Sequence, residues 1–369
     1  MYNFTQRCKQ LYELLQDERS KDIFKARVLF DIEPSMTNAV HFISLREHLP
    51  PEEIARHLEW KDAYHSLPGK VILYGTGKTG LDIANLLKRD GVDFYGFCGR
   101  RAKEFSGGLL GKPVITPEFL MGHPDDFFVV VAASGPRSIQ EITSLLRERF
   151  PDDHIFHNFD DSALNNNQYF DFPSLYHKGT AFIDGGCFDG TDSLRFAEWC
   201  EGQYSDIIAF EPDPGNYERC LKTAEDNNLR NFHLIQAGLA SCEGRAAFDA
   251  RSTDGSRILS SAAGDTNAVK EEISIRTAAI DDIVNGKMVG FIKMDIEGAE
   301  FDALHGAKDT ITRDKPLLAI CVYHLQGDML AIIDYLHQLV PEYRFWLRHY
   351  GRFMYDTVLY ASVDQPAQG

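Results

Sequence analysis

Phe182-Ile183-Asp184-Gly185-Gly186-Cys187-Phe188-Asp189-Gly190-Thr191 is the stretch that decides the fold. It reads as a buried strand ending in an acid, then a glycine-rich turn, then a helix start. Glycine has no side chain, so such a turn lets the backbone pass close to a bound cofactor. Further on, Asp206-Ile207-Ile208-Ala209-Phe210 reads as a second strand, ending in Glu211-Pro212. In α/β folds a glycine loop after one strand takes the tail of a nucleoside, and an acid at the tip of the next takes its ribose hydroxyls. No phosphate-binding lysine follows this loop, and two carboxylates flank it. That pattern suits a cofactor without phosphates, such as S-adenosylmethionine.

Downstream the same rhythm continues. Strands are expected near Ala181–Asp184, Ile207–Glu211, Phe232–Gln236, Gly290–Asp295, Leu317–Tyr323, Tyr343–Leu347 and Val358–Ala361. Strand–helix–strand runs imply a doubly wound, mostly parallel sheet, and the last two strands are close enough to pair as an antiparallel hairpin. The Ser/Gly/Asp-rich segment from Arg251 to Thr266 reads as a loop over the site.

Upstream, residues 69–158 form a second, smaller α/β unit. Lys70-Val71-Ile72-Leu73-Tyr74 is a strand, followed at once by Gly75-Thr76-Gly77-Lys78-Thr79-Gly80 and a helix from Leu81 to Arg89. Gly75, Gly77 and Gly80 fit G-x-G-x-x-G in its proper context. The acid expected at the end of the next strand is missing, because Cys98-Gly99-Arg100-Arg101 stands there. An NAD(P)-dependent oxidoreductase or a nucleotide-sugar-binding protein built on the Gly75 loop is the alternative function, against a retained scaffold that binds nothing. Residues 1–68 read as a helical packing or oligomerisation segment, with a homodimer as one outcome and a helix start at Pro50-Pro51-Glu52-Glu53. Residues 159–178, with Asn165-Asn166-Asn167-Gln168, read as a linker, and 364–369 as a tail.

Composition narrows the class. The chain has 369 residues, enough for two or three domains, and its 25 Phe and 15 Tyr can fill sizeable cores. A net charge of -17 repels phosphate backbones, which argues against nucleic acid as a partner. The seven cysteines form no close CxxC pair, which points to a reducing compartment without a disulfide framework. No apolar run is long enough to span a bilayer, and the first residues lack the apolar core of a signal peptide. The expectation is a cytoplasmic protein with no membrane partner.

Lys293-Met294-Asp295-Ile296-Glu297-Gly298-Ala299-Glu300, preceded by Asp184-Gly185-Gly186 and Glu211-Pro212, resembles the FkbM family of S-adenosylmethionine-dependent methyltransferases. The resemblance covers about residues 179–363. It implies a Rossmann-like class I methyltransferase sheet, S-adenosylmethionine as cofactor, and O-methylation, commonly of sugars or polyketides. Where the family often has asparagine-isoleucine-glycine at the end of the first loop, this chain has Cys187-Phe188-Asp189-Gly190, with the last glycine kept.

The cofactor residues expected on these grounds are Asp184, Gly185, Gly186, Gly190, Glu211, Pro212, Ala237 and Asp295. Asp184 is read as holding loop amides or approaching the methionine amine, and Glu211 as the ribose acceptor. Adenine is assigned to the turn at Ala237-Gly238-Leu239-Ala240 or to Ser260-Ser261. The catalytic candidates are His324, Asp295 and Glu297. An ordinary histidine pKa of ~6.5 would suit a general base, which makes His324 the first choice, with Asp295 as orienter. Asp295, Glu297 and His324 also have the donor types of a divalent-metal site. Glu300 is read as an acid favouring a helix dipole, His349 as either a second polar wall or a structural hydrogen bond, and Lys293 as the partner of one of the acids. The acceptor is expected to be a small molecule or glycan, with a sugar hydroxyl preferred.

Overall fold

The computed structural model describes residues 4–46, 69–133, 136–157, 167–250, 257–258, 272–351 and 354–366. The helix start at Pro50-Pro51, Ser260-Ser261, most of the Arg251–Thr266 loop and Asn165-Asn166 lie outside them. The chain divides into two compact units. The smaller comprises Ala26–Asn166 and Gly351–Met354; the larger comprises Met1–Lys25, Asn167–Tyr350 and Tyr355–Gly369. The division therefore falls inside the helix Glu18–Ile32, not at residue 68, and the opening helical residues are shared between the units.

In the smaller unit five strands form one parallel sheet: β1 (Lys70–Tyr74), β2 (Gly96–Cys98), β3 (Val114–Ile115), β4 (Phe127–Val131) and β5 (Ile155–His157). Their order is β3-β2-β1-β4-β5, so the order reverses beside β1. Successive strand residues face opposite sides. Accordingly Val71, Leu73, Phe128 and Val130 enter one core, while Ile72, Tyr74, Val129 and Val131 enter the other. Both faces are covered, which is why these strands are apolar throughout.

The larger unit contains a seven-stranded sheet: β6 (Ala181–Gly185), β7 (Ile207–Phe210), β8 (Phe232–Ile235), β13 (Val289–Met294), β14 (Leu317–Cys321), β15 (Arg344–His349) and β16 (Thr357–Ser362). The order is β15-β16-β14-β13-β6-β7-β8. Only β16 runs against its neighbours, pairing antiparallel with both β14 and β15, so the expected terminal hairpin is present. The sheet is Rossmann-like, and its strand ends meet on one rim. A second sheet of four short strands was not foreseen: β9 (Gly238–Leu239), β10 (Gly244–Asp249), β11 (Arg257–Ile258) and β12 (Glu272–Ala278), in the order β11-β10-β12-β9.

The register of β6 against β13 sets the site. Phe182 lies beside Phe291, and Asp184 beside Lys293. Period-two alternation places all four on one face, toward the helix Thr191–Trp199. Phe196 of that helix stacks on Phe182, with ring centroids 4.0 Å apart. Ser193, one helical turn earlier on the same side, donates to Asp184 Oδ2 at 2.6 Å. An aromatic core thus ends in a buried polar cap directly under the glycine turn.

Candidate active site

The glycine turn is held by backbone constraints. Gly186 has φ +75, and a Cβ there would lie 2.0 Å from the Asp295 carbonyl oxygen. Only glycine lets the turns after β6 and β13 pack backbone to backbone. Gly190, at φ +83, precedes the helix Thr191–Trp199 and faces the Cys220 thiol.

Asp184 does not open onto the cavity beside this turn. It is fully buried, and its Oδ1 takes a hydrogen bond from Lys293 Nζ at 3.0 Å. Lys293 also donates to the Gly186 carbonyl at 2.8 Å and lies 3.5 Å from Asp192 Oδ2. Burial alone would lower the Lys293 pKa, but Asp184, Asp192 and Asp295 outweigh it and raise the value above the ordinary one. The lysine stays charged and fixes the turn from below. The expected pairing of Lys293 with an acid is present, and that acid is Asp184.

Glu211 directly follows β7 and is 5% exposed. Its Oε2 accepts the Phe188 N–H at 3.0 Å and its Oε1 the Asp213 N–H at 2.8 Å. Burial pushes its pKa up to about 7, against the opposing pull of these two hydrogen bonds.

A cavity of about 290 Å³ lies along the strand ends. The β6–β8 half of the sheet contributes Gly186, Glu211 and Pro212, with Ala237 just beyond β8. The β13–β16 half contributes Asp295, Glu297, Tyr323 and Asp356. Asp184, Gly185, Gly190 and His324 are not among the lining residues. Four further contributors escaped sequence reasoning. Phe248 of β10 adds an apolar wall, and Asp192 a carboxylate. Gln168 and Tyr169 come from the stretch read as linker. Tyr169 takes a left-handed φ of +74, and its hydroxyl donates to Asp295 Oδ2 at 2.6 Å.

On the β13 side, the acids converge on one imidazole. The His324 side chain is 3% exposed; its Nδ1 lies 2.9 Å from Glu300 Oε1, and its Nε2 lies 3.4 Å from Asp295 Oδ1 and 3.6 Å from Glu297 Oε1. These are charge pairings, since neither ring nitrogen has an aligned hydrogen-bond partner. Burial opposes a charged ring, but Glu300 and Glu297 raise the His324 pKa well above its ordinary value. The ordinary pKa that suggested a general base therefore does not hold here. Glu300 is more than a dipole partner. Its fully buried carboxylate accepts the N–H groups of Ile296 and Gly298, closing the turn after β13. His349 is also buried and bonds Thr357 across the β15–β16 pair, at 3.0 Å, which makes it an interior group and not a wall of the cavity.

In the smaller unit, the Gly75 turn borders a separate cavity with Lys78, Arg100 and Arg101 on its lining. A Cβ on Gly75 would lie 1.9 Å from the Ala132 carbonyl oxygen, and one on Gly80 2.3 Å from that of Gly75. Both glycines are thus required by close packing alone.

Residues 184–353 match the model of the methyltransferase FkbM domain. The 2-O-methyltransferase NoeI of Sinorhizobium fredii (strain NBRC 101917 / NGR234) is 27% identical over 173 residues, covering 42% of this chain and 70% of NoeI. Among solved structures, methyltransferase FkbM from Methylobacillus flagellatus KT aligns with a TM-score of 0.48 at 16% identity, over 93% of this chain and 99% of that one. SMU.1697c from Streptococcus mutans, in complex with SAH, aligns with a TM-score of 0.34 at 14% identity, over 52% of this chain and 93% of its own.

Proposed function

We propose, for a chain whose residues 184–353 belong to the FkbM methyltransferase family, that S-adenosylmethionine donates its methyl group to a hydroxyl oxygen of a sugar, glycan or related metabolite. One observation carries this reading. A buried acid, Glu211, and a sterically required glycine, Gly186, share a cavity with the carboxylate of Asp295. Glu211 has the place and chemistry to accept from a ribose diol, with Ala237 beside the base. Asp192, Asp295, Glu297 and Asp356 line the same cavity with a single lysine, Lys293. That excess of negative charge favours a sulfonium cation over its neutral thioether product. Asp184, Gly185 and Gly190 act from behind, as supports of the turn.

In the reaction the acceptor oxygen attacks the methyl carbon in line with the departing sulfur. The O–C bond forms as the C–S bond breaks, sulfur keeps the electron pair, and S-adenosylhomocysteine is released. The hydroxyl proton passes to a cavity carboxylate. Asp295 is the best placed, since it lines the cavity and is oriented by Tyr169 and Tyr323. His324 Nε2, 3.4 Å from its Oδ1, holds that carboxylate in place. Because the donor is already activated, alignment and proton removal are the protein's main tasks. An oxygen acceptor is further supported by the relative named as a 2-O-methyltransferase. A nicotinamide oxidoreductase built on the Gly75 turn lacks the strand-end acid it needs.

The test is calorimetric titration with S-adenosylhomocysteine, followed by transfer of labelled methyl to a panel of nucleotide sugars and glycans. Absence of cofactor binding overturns the enzyme reading. Labelling of lipids or peptides with sugars left untouched overturns the acceptor class alone.

A further inference from the structure

We propose that Asp295, Glu297 and His324 form a site for one divalent cation, which presents its open positions to the acceptor hydroxyl. This rests on the methyl-transfer reading of the same cavity. The donor set is two carboxylate oxygens and one imidazole nitrogen, and one donor atom from each lies within 4.8 Å of the others. Two of the separations are 3.4 Å and 3.6 Å, both measured from His324 Nε2. Donors about 2.0–2.2 Å from a common cation lie roughly 3–3.5 Å apart, so small shifts suffice to close around one.

A second observation points to a ligand. The His324 side chain is 3% exposed, and its Nε2, turned toward both carboxylates, has no aligned hydrogen-bond partner. A buried polar atom in that condition ordinarily has something to meet. Behind the ring, Glu300 Oε1 lies 2.9 Å from Nδ1, and Glu300 is itself fixed by the N–H groups of Ile296 and Gly298. This is the arrangement that orients a metal-binding histidine, with a carboxylate at one nitrogen and the metal at the other. Asp295 is prepared in the same way: Tyr169 occupies its Oδ2, while Oδ1, which accepts a longer 3.4 Å bond from Tyr323, lies on the His324 side. Glu297 holds a left-handed φ of +55, rare for a residue with a long side chain, and its Oε1 faces the same nitrogen.

Three protein donors leave further coordination positions open, and Asp295 and Glu297 line the cavity while His324 stands behind them. The mixed oxygen and nitrogen donors suit a cation such as Mn²⁺. An acceptor hydroxyl held there would be more acidic and, with Asp295 bound to the cation, would lose its proton to water instead of to that carboxylate as its oxygen takes the methyl group. The bond changes otherwise stay as described above.

The experiment titrates Mn²⁺ alone into metal-free protein and follows the loss of the free-ion EPR signal. Calorimetry with S-adenosylhomocysteine on the same preparation reports the cofactor site separately. One Mn²⁺ per chain is expected, with affinity at least about 10-fold weaker in Glu297→Gln and in His324→Gln. Glu300→Gln, which touches the ring and the Ile296 and Gly298 N–H groups but supplies no donor to the cation, should weaken it about 10–100-fold. Circular dichroism and thermal melting check that each variant is folded, and the Glu297→Gln change on the cavity wall is the one least able to disturb the core. If S-adenosylhomocysteine binds and Mn²⁺ does not at millimolar concentration, the cation site is wrong and the methyl-transfer reading stands. If Mn²⁺ binds equally to wild type and all three variants, the site is elsewhere and the proposal falls. If Mn²⁺ binds but S-adenosylhomocysteine does not, the role given to the cation falls together with the methyl-transfer reading.

Discussion

The chain holds two glycine turns at the ends of two parallel strands, and they differ in what surrounds them. Gly75 and Gly186 are both required by close backbone packing. Beside Gly186 the neighbouring strand ends in Glu211; beside Gly75 it ends in Cys98, followed by Gly99 and Arg100. Beneath Gly186 lies the buried Lys293–Asp184 pair. Beside Gly75 lie Tyr74 and Cys98, each pushed to about 12 by burial and so uncharged. A glycine turn therefore reports how tightly two backbones approach. The charged groups around the two turns differ: acids dominate beside Gly186, and Lys78, Arg100 and Arg101 stand beside Gly75.

The largest effect is expected from the support under the active turn. Asp184→Ala leaves Lys293 buried without its main partner, and the loss should be ~3–5 kcal/mol of stability. It should be read in the denaturant transition that S-adenosylhomocysteine shifts. A loss below about 1 kcal/mol would show that the pair does not brace the turn. Next in size, Glu211→Ala should weaken S-adenosylmethionine binding roughly 100-fold by calorimetry, the scale of two lost charge-assisted hydrogen bonds. Joint replacement of Arg100 and Arg101 by alanine should change that affinity less than about 2-fold. Equal losses in the two variants would break the contrast between the turns.

A pH dependence comes third. With its folded pKa raised from 4.5 to about 7, Glu211 gains its charge only as the pH passes through that region. Cofactor affinity should climb from pH 6 to pH 8, by up to about tenfold per unit below the midpoint. The stability of the cofactor-free protein should move the other way. Between 4.5 and about 7 the folded state binds more protons than the unfolded one, so stability from this group falls as pH rises. A flat affinity profile would remove Glu211 from the cofactor site. The smallest effect is expected from Tyr169→Phe, which takes one hydrogen bond from Asp295 while Tyr323 remains. The expected result is about a 5-fold fall in kcat with S-adenosylhomocysteine affinity unchanged. A shift in cofactor affinity would place Tyr169 elsewhere in the mechanism.

Much of the fold was legible because its signals are local. Apolar runs such as Val71–Tyr74, closed by a turn, and Ile207–Phe210, closed by an acid, mark strands without knowledge of their partners. The rim of Glu211, Asp295 and Glu297 followed from the rule that strand ends meet on one side. What was hidden depends on pairing. The inward direction of Asp184 comes from its register opposite Lys293, which no spacing within either strand reveals. Tyr169 reaches Asp295 across 126 positions of sequence, from a stretch whose composition reads as connection. The side sheet of β9–β12 gave little signal. Gly244, Arg245 and Glu272 interrupt its apolar pattern, although Ile273, Ile275 and Thr277 alternate as a half-covered strand does. The raised pKa of His324 was out of reach for the same reason, since three acids from one turn converge on it only in space.

The Ser20 hydroxyl accepts the backbone N–H of Leu347, which lies 327 positions later, and Arg348 reaches back to Asp17. The smaller unit is spelled out almost entirely between these partners. Synthesis at ~5–20 residues per second therefore separates the two halves of that contact by roughly 15–65 s. During this interval most of the smaller unit can fold, while the opening helices wait for their sheet. Such a chain should emerge from the ribosome with its inserted unit folded but for Gly351–Met354, while its catalytic unit still lacks its closing strands.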